Sequence, residues 1–250
     1  YIEEHLNDDI NKLALSKLPE NIDKQFVIRQ IQARQLLKKK LPSWSDNEEL
    51  LFPRRLSLEQ CSSELTAKYK RAISRKVTKT QSRDASMAPA IKHIDTSLHR
   101  ILVDLTGGMG VDTSFLSDNF DETIYVESQA ELCELAEHNF KVLKKNIKVV
   151  NAKAEDFLTQ CGEVDCIYLD PARRDEYGRK MVSLHDCSPD VAELQDLLFE
   201  KTNTVIVKLS PMLDIDIIKK ELKNIKEIHI VAVKNECKEV LVVCQQTTDN

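Results

Sequence analysis

Leu102-Val103-Asp104-Leu105-Thr106-Gly107-Gly108-Met109-Gly110-Val111-Asp112 is the stretch on which the fold turns. An apolar run ends on an acid, glycines follow at 107, 108 and 110, and Phe115 and Leu116 then mark the buried face of a helix. A strand entering a glycine-rich turn and then a helix is the first half of a crossover unit. Glycine suits the turn because a ligand can lie against bare backbone there, and because left-handed backbone costs it little. The pattern then repeats. Apolar runs at 101–105, 123–126, 147–150, 166–169 and 205–209 alternate with helical stretches. Such alternation predicts right-handed crossovers and a parallel sheet covered on both faces. The last two runs, 228–233 and 239–244, are separated only by the short segment 234–238. No crossover helix fits in that gap, so these two strands form an antiparallel hairpin. The expected architecture is α/β, seven strands in all, five parallel plus the C-terminal hairpin.

The first hundred residues differ in character. Val27, Ile31, Ala33, Leu36 and Leu37 fall at helical spacings before Lys38-Lys39-Lys40 and Pro42. Cations in a last turn complement a helix dipole, which accounts for the lysine tract. Ser57-Leu58-Glu59-Gln60 has the spacing of a capping box for a second helix, with Leu65, Tyr69, Ala72 and Ile73 as its apolar stripe. From Arg75 the chain is rich in Lys, Thr, Ser and Arg and loses periodicity. This reads as an N-terminal helical domain over 1–75, a linker over 76–98 and an α/β core over 99–250. Residues 1–100 hold 19 Lys and Arg against 13 Asp and Glu, whereas residues 101–250 hold 17 against 28. That asymmetry suits either an anionic partner for the first half or simply solvated helix faces. The seven cysteines form no C-x-x-C pair, which predicts reduced thiols in a cytoplasmic protein without a metal site. No apolar run is long enough to span a bilayer.

The glycine turn departs from the dinucleotide fingerprint G-x-G-x-x-G, because Thr113 stands at its third position and Asp104 precedes the turn. It resembles the D-x-G-x-G-x-G turn of class I methyltransferases, with Asp104, Gly108 and Gly110 matching and Thr106 in place of the first glycine. Five parallel strands closed by a hairpin likewise resemble that Rossmann-like sheet. The resemblance implies S-adenosylmethionine as cofactor, held by Asp104, Thr106, Gly107, Gly108, Met109 and Gly110. An acid suits its ammonium and sulfonium, where a pyrophosphate would be repelled. Glu127, with Ser128, closes the second strand where a carboxylate can take both ribose hydroxyls. Ala154, Glu155 and Asp156 follow the third strand at the place expected for the adenine; Lys153 stands where many relatives carry an acid.

Asp170-Pro171-Ala172-Arg173-Arg174 ends the fourth strand. It looks like the D/N-P-P-Y and D-P-P-R motifs of methyltransferases that act on nucleic-acid bases, where acid and carbonyl hold the acceptor nitrogen in line with the methyl group. Ala172 replaces the second proline and no aromatic follows. Arg173 and Arg174 suit a phosphate or carboxylate, or pair with Asp175 or Glu176. Lys208, at the end of the next strand, completes the candidate catalytic set of Asp170, Pro171, Ala172, Arg173 and Lys208. The segment 207–214 lacks the cysteine that C5-pyrimidine chemistry requires.

Together with residues 60–70 and the segment Asn235-Glu236-Cys237-Lys238-Glu239, these motifs resemble a bacterial family of class I methyltransferases that carry a THUMP-like C-terminal domain. More distantly they resemble trimethylguanosine synthases, which implies a lid built from Ser62, Ser63 and Glu64. THUMP domains bind RNA, so the resemblance implies an RNA base as acceptor; the charge split and the paired arginines then suggest Arg71, Arg75, Arg173 and Arg174 on its backbone. A protein or small-molecule acceptor, or a module that binds the cofactor without turnover, is the alternative.

Overall fold

The computed structural model describes residues 1–17, 19, 22–84, 99–173 and 183–246, with backbone alone for 78–84 and 173. Its main sheet has seven strands in the order β3-β2-β1-β4-β7-β9-β8. These are β1 (Ile101–Asp104), β2 (Glu122–Glu127), β3 (Ile147–Asn151), β4 (Cys166–Leu169), β7 (Thr204–Leu209), β8 (Ile225–Val233) and β9 (Glu236–Gln245). The first five in chain order are parallel, and β9 runs antiparallel to both β7 and β8. The expected sheet and hairpin are therefore present. Two very short strands, β5 (Ala172–Arg173) and β6 (Cys187–Ser188), form a separate antiparallel ladder that sequence reading did not anticipate.

Alternation along the central strands sorts side chains to two faces. Val103, Ile167, Leu169, Val205, Val207, Val240 and Val242 belong to one core, covered by α8 (Ala154–Gln160), α9 (Val191–Lys201) and α10 (Ile215–Glu221). Leu102, Cys166, Tyr168, Ile206, Leu241 and Val243 point to the other, where Ile73 and Val77 of α5 (Glu64–Asp84) and Leu116 of α6 (Val111–Leu116) pack on them. α7 (Ala130–Val142) covers β2 and β3 through Cys133, Ala136 and Phe140 around Tyr125. The N-terminal helices thus supply part of the cover of the sheet.

The remaining helices are α1 (Ile10–Leu15), α2 (Lys24–Leu37), α3 (Pro42–Ser45) and α4 (Arg55–Gln60). Trp44, Leu50, Phe52, Leu58, Ala33 and Leu37 pack there against Met109 and Val111 of the glycine turn. Three expectations need correction. Ser57 lies inside α4, and the hydroxyl that caps α5 is that of Ser63, which accepts from Thr66 N–H. The stripe of α5 is rotated: Leu65 and Tyr69 are exposed, whereas Thr66, Ala67, Lys70, Ile73 and Ser74 are buried. The helix also continues to Asp84, well past position 76, and the remainder of the expected linker, 85–98, lies outside the described residues. Of the lysine tract, Lys40 has a definite partner set, donating to the carbonyls of Leu58 and Glu59 at the end of α4.

One buried cation organises the N-terminal loops. Arg34 of α2 donates from Nη1 to the carbonyls of Ser45 and Asn47, and from Nη2 to those of Glu48 and Leu50, all at 2.8–3.0 Å. Four carbonyls on one guanidinium need its planar fork. Replacing Arg34 with Met is expected to lower stability by about 3 kcal/mol, because the carbonyls lose charged donors. Arg34→Lys should recover less than half, since an ammonium cannot fork. Urea unfolding of both variants measures this.

Candidate functional site

The carboxyl ends of β1 and β4 lie side by side, and the chain leaves them in opposite directions along the sheet. A crevice opens at such a reversal. Asp104 ends β1 with its carboxylate turned into its own loop: Oδ1 accepts from Thr106 N–H at 3.0 Å and Oδ2 from the Thr113 hydroxyl at 2.5 Å. Burial pushes this carboxyl up to about 7, against the hydrogen bonds that lower it. Both oxygens of this expected counter-charge are thus engaged within the protein. It lines the cavity, but its oxygens organise the turn.

The glycines are set by the fold as well. A Cβ on Gly107 would sit 2.1 Å from the Tyr125 ring, so the strand beneath forbids any side chain there. Gly110 has φ of +82° and begins α6. Tyr125 donates its hydroxyl to the Gly108 carbonyl at 2.6 Å. Gly108 N–H in turn donates to Glu127 Oε2 at 3.0 Å. Glu127 Oε1 accepts from Ser128 Oγ and Gln129 N–H, at 3.1 and 2.8 Å. Three donors therefore fix the orientation of the Glu127 carboxylate.

Thr106 accounts for its own departure from glycine. Its hydroxyl accepts from Asp170 N–H at 2.6 Å and ties the β1 loop to the β4 loop. The Asp170 carboxylate pairs with Lys208 from the end of β7. Burial lowers the Lys208 pKa, but Asp170 and Asp112 outweigh it and leave the ammonium above its ordinary value. The structure thus explains Lys208 as the partner that holds Asp170.

A cavity of about 650 Å³ joins these groups. Of the residues expected at the site, Asp104, Thr106, Gly107, Gly108, Met109, Gly110, Glu127, Ser128, Ala154, Glu155, Asp156, Asp170 and Ala172 line it. Pro171 and Lys208 are not in its lining. The backbone of Arg173 pairs with Cys187 in the small ladder, and Arg174 lies outside the described residues. Of the expected lid, Ser62 faces the cavity, Ser63 caps α5, and Glu64 accepts from Ser43 N–H and Lys68. Arg71 pairs with Asp118, beyond the far end of α6 and just before β2, so it sits toward the opposite edge of the sheet.

Sequence reasoning missed the wall formed by Asp112. Its Oδ2 accepts from Ser62 Oγ at 2.7 Å and Tyr168 Oη at 2.8 Å, and Lys70 Nζ stands 3.4 Å from Oδ1. Burial raises the Asp112 pKa, yet Lys70 and Lys208 with those two hydroxyls hold it below the carboxylate range. The only available signal was Asp112 following the last glycine. Among the described residues, the charged cavity lining is Asp104, Asp112, Glu127, Glu155, Asp156 and Asp170 against Lys153. Such a wall favours a cationic ligand and repels a pyrophosphate. Among the described residues no His, Cys, Asp and Glu cluster suits a metal ion, and no helix is long and apolar enough to cross a membrane. The seven cysteines are unbridged.

No protein-family model and no curated protein matches the chain. Among solved structures it is similar to a "putative methyltransferase" from Porphyromonas gingivalis, 29% identical with a TM-score of 0.76 over 98% of this chain and 56% of that one. The chain therefore spans about half the length of that protein. It is also similar to a "putative RNA methyltransferase" from Pyrococcus horikoshii, at 12% identity and a TM-score of 0.50, over 82% of this chain and 96% of the other. An O-methyltransferase from Bacillus cereus in complex with SAH shares 10% identity and a TM-score of 0.51, over 84% of this chain and all of the other. The sheet order and these likenesses identify the fold as that of class I methyltransferases.

Asp104 makes stability depend on pH in a defined sense. Its folded pKa lies above the unfolded one, so between about pH 4 and 7 the folded state keeps a proton that the unfolded state has released. Stability therefore falls as pH rises through that window, by up to about 1.4 kcal/mol per pH unit for one proton, and levels off above it. Asp104→Asn should flatten this slope. Denaturant unfolding of both proteins between pH 4.5 and 8 tests it; parallel curves would exclude Asp104 as the source.

Proposed function

We propose that the protein is an S-adenosylmethionine-dependent methyltransferase acting on an RNA base. The observation that carries the cofactor is the acidic cavity at the β1–β4 crevice, with Glu127 pre-oriented by three donors. The residues fit that ligand. Glu127 would take the ribose hydroxyls, the backbone of residues 106–110 the methionine part, and the start of α8 at Ala154, Glu155 and Asp156 the adenine. The cofactor supplies an electrophilic methyl group on a sulfonium, whose positive charge the lining acids favour.

Asp170 stands at the mouth with its backbone fixed by Thr106 and its carboxylate by Lys208. With both its backbone and its carboxylate fixed, its task is to orient an acceptor N–H and to exclude other approaches. The RNA acceptor is supported by the resemblance of Asp170–Arg174 to base-methylating motifs and by the adjoining arginines in the sequence. Arg71 is left out of this reading, because its cation is engaged by Asp118 away from the cavity.

S-adenosylmethionine and its demethylated product should bind while NAD does not, and Glu127→Ala should weaken binding by about 1–3 kcal/mol. Calorimetry with no heat for either cofactor form, or with tight NAD binding, would sink the assignment. Asp170→Asn should cut kcat by about a hundredfold or more with cofactor affinity nearly intact, as positioning requires. For the acceptor, RNA affinity should fall with salt, and Arg173→Ala/Arg174→Ala should reduce the salt slope by roughly 0.7 per lost phosphate contact. Salt-independent binding would point instead to a protein or small-molecule acceptor.

A further inference from the structure

Lys70 has no exposed surface, although it lies on a helix whose neighbouring residues are largely polar. An ammonium is kept out of water only where its partners are arranged to receive it. Those partners come from three separate elements. Glu239 of β9 accepts from Lys70 Nζ at 2.6 Å, and its side chain is itself only 3% exposed. Ser62, in the turn between α4 and α5, accepts at 3.0 Å. Asp112, at the start of α6, stands at 3.4 Å through an oxygen that makes no hydrogen bond of its own.

Two of these partners, Ser62 and Asp112, line the cavity; Lys70 and Glu239 stand behind them. Among the described residues before β1, those that line the cavity are Ser57, Gln60, Cys61 and Ser62. The other polar ties of this turn lead away from the sheet, from Lys40 to the carbonyls of Leu58 and Glu59 and from Glu64 N–H to the Lys40 carbonyl. The polar connection from the turn to the glycine loop therefore runs through Ser62, Asp112 and Lys70.

We infer that Lys70 is a positioning residue for the ligand pocket: anchored on Glu239, its ammonium holds Ser62 and Asp112 together and so keeps the 60–62 turn closed over the bound cofactor. The inference rests on the reading of the cavity as an S-adenosylmethionine site. Its consequence is kinetic. Ligand escape requires the turn to lift, so weakening the anchor raises dissociation more than it lowers association.

The test uses Lys70→Met/Glu239→Leu, which removes the buried pair together and replaces it with apolar side chains, a change that folded proteins often tolerate. Glu239→Gln serves as the milder variant, keeping an acceptor for Lys70 without the charge. S-adenosylhomocysteine is the probe, followed by stopped-flow dissociation, with thermal melting as the measure of folding. Alkylation of Cys61, located by mass spectrometry in the ligand-free protein, reads the turn directly. The double variant should release the probe about tenfold faster with association little changed, and alkylate faster at Cys61 but not at Cys133, while still melting cooperatively. Glu239→Gln should show the same changes, about threefold, and decides the matter if the double variant does not fold. Wild-type rates at both readouts in a folded variant would overturn the inference alone. Absence of any probe binding to the wild-type protein would overturn the cofactor reading and this inference with it.

Discussion

A single hydrogen bond, from Asp170 N–H to the Thr106 hydroxyl, joins the two loops between which the candidate site lies. The sheet is wound outward from β1 toward β3 on one side and from β4 toward β7 on the other, so the loops after β1 and β4 have no covalent reason to stay together. Beneath this bond, Leu105 N–H donates to the Tyr168 carbonyl and continues the ladder to the crevice floor. A glycine at position 106 would satisfy the turn but would leave the Asp170 amide without this acceptor. The Asp170 end of the cavity is therefore located relative to the glycine turn by a hydroxyl at 2.6 Å.

The charges follow a consistent plan. Acids face the cavity, and two lysines stand behind its wall, Lys70 against Asp112 and Glu239 and Lys208 against Asp170. For Asp112 the two cations, with the hydroxyls of Ser62 and Tyr168, outweigh a burial that would otherwise oppose its charge. Asp104 lacks such a partner among its hydrogen bonds and instead relies on the Thr106 amide of its own loop and the Thr113 hydroxyl of α6. Its raised pKa is the outcome. One aspartate is thus devoted to the shape of the turn, while Asp112 and Asp170 are each paired with a lysine.

Most of the sheet was legible because buried parallel strands read as short apolar runs and the final gap was too short for a helix. Asp104, the glycines, Glu127 and Asp170 were legible for a related reason: each is an exception at the end of a strand, where side chains meet a crevice. The buried face of α5 was not. Its inward positions include Thr66, Lys70 and Ser74, so periodicity selected Leu65 and Tyr69, which point to solvent. Nothing local distinguishes a lysine that will meet Glu239, far along the chain, from one on a wet surface. Arg34 and Thr106 were opaque in the same way, since their partners are backbone groups that only the folded chain brings within reach. At the cap, Ser57 and Ser63 stand six positions apart, and it is the Ser63 hydroxyl that accepts from an amide of the first turn of α5.

The burial of Lys70 has an evolutionary side. Remove the N-terminal helices and the sheet exposes Leu102, Tyr168, Ile206 and Leu241 on one face, with Asp112 and Glu239 deprived of the nearer of their two cations. An ancestor or descendant lacking those helices could not share this sheet unchanged. Positions 112 and 239 would have to lose their charge, and the apolar face would have to turn polar, in step with the loss of the helices. The segment before β1 and the sheet are thus physically interdependent, each burying groups that the other would leave exposed.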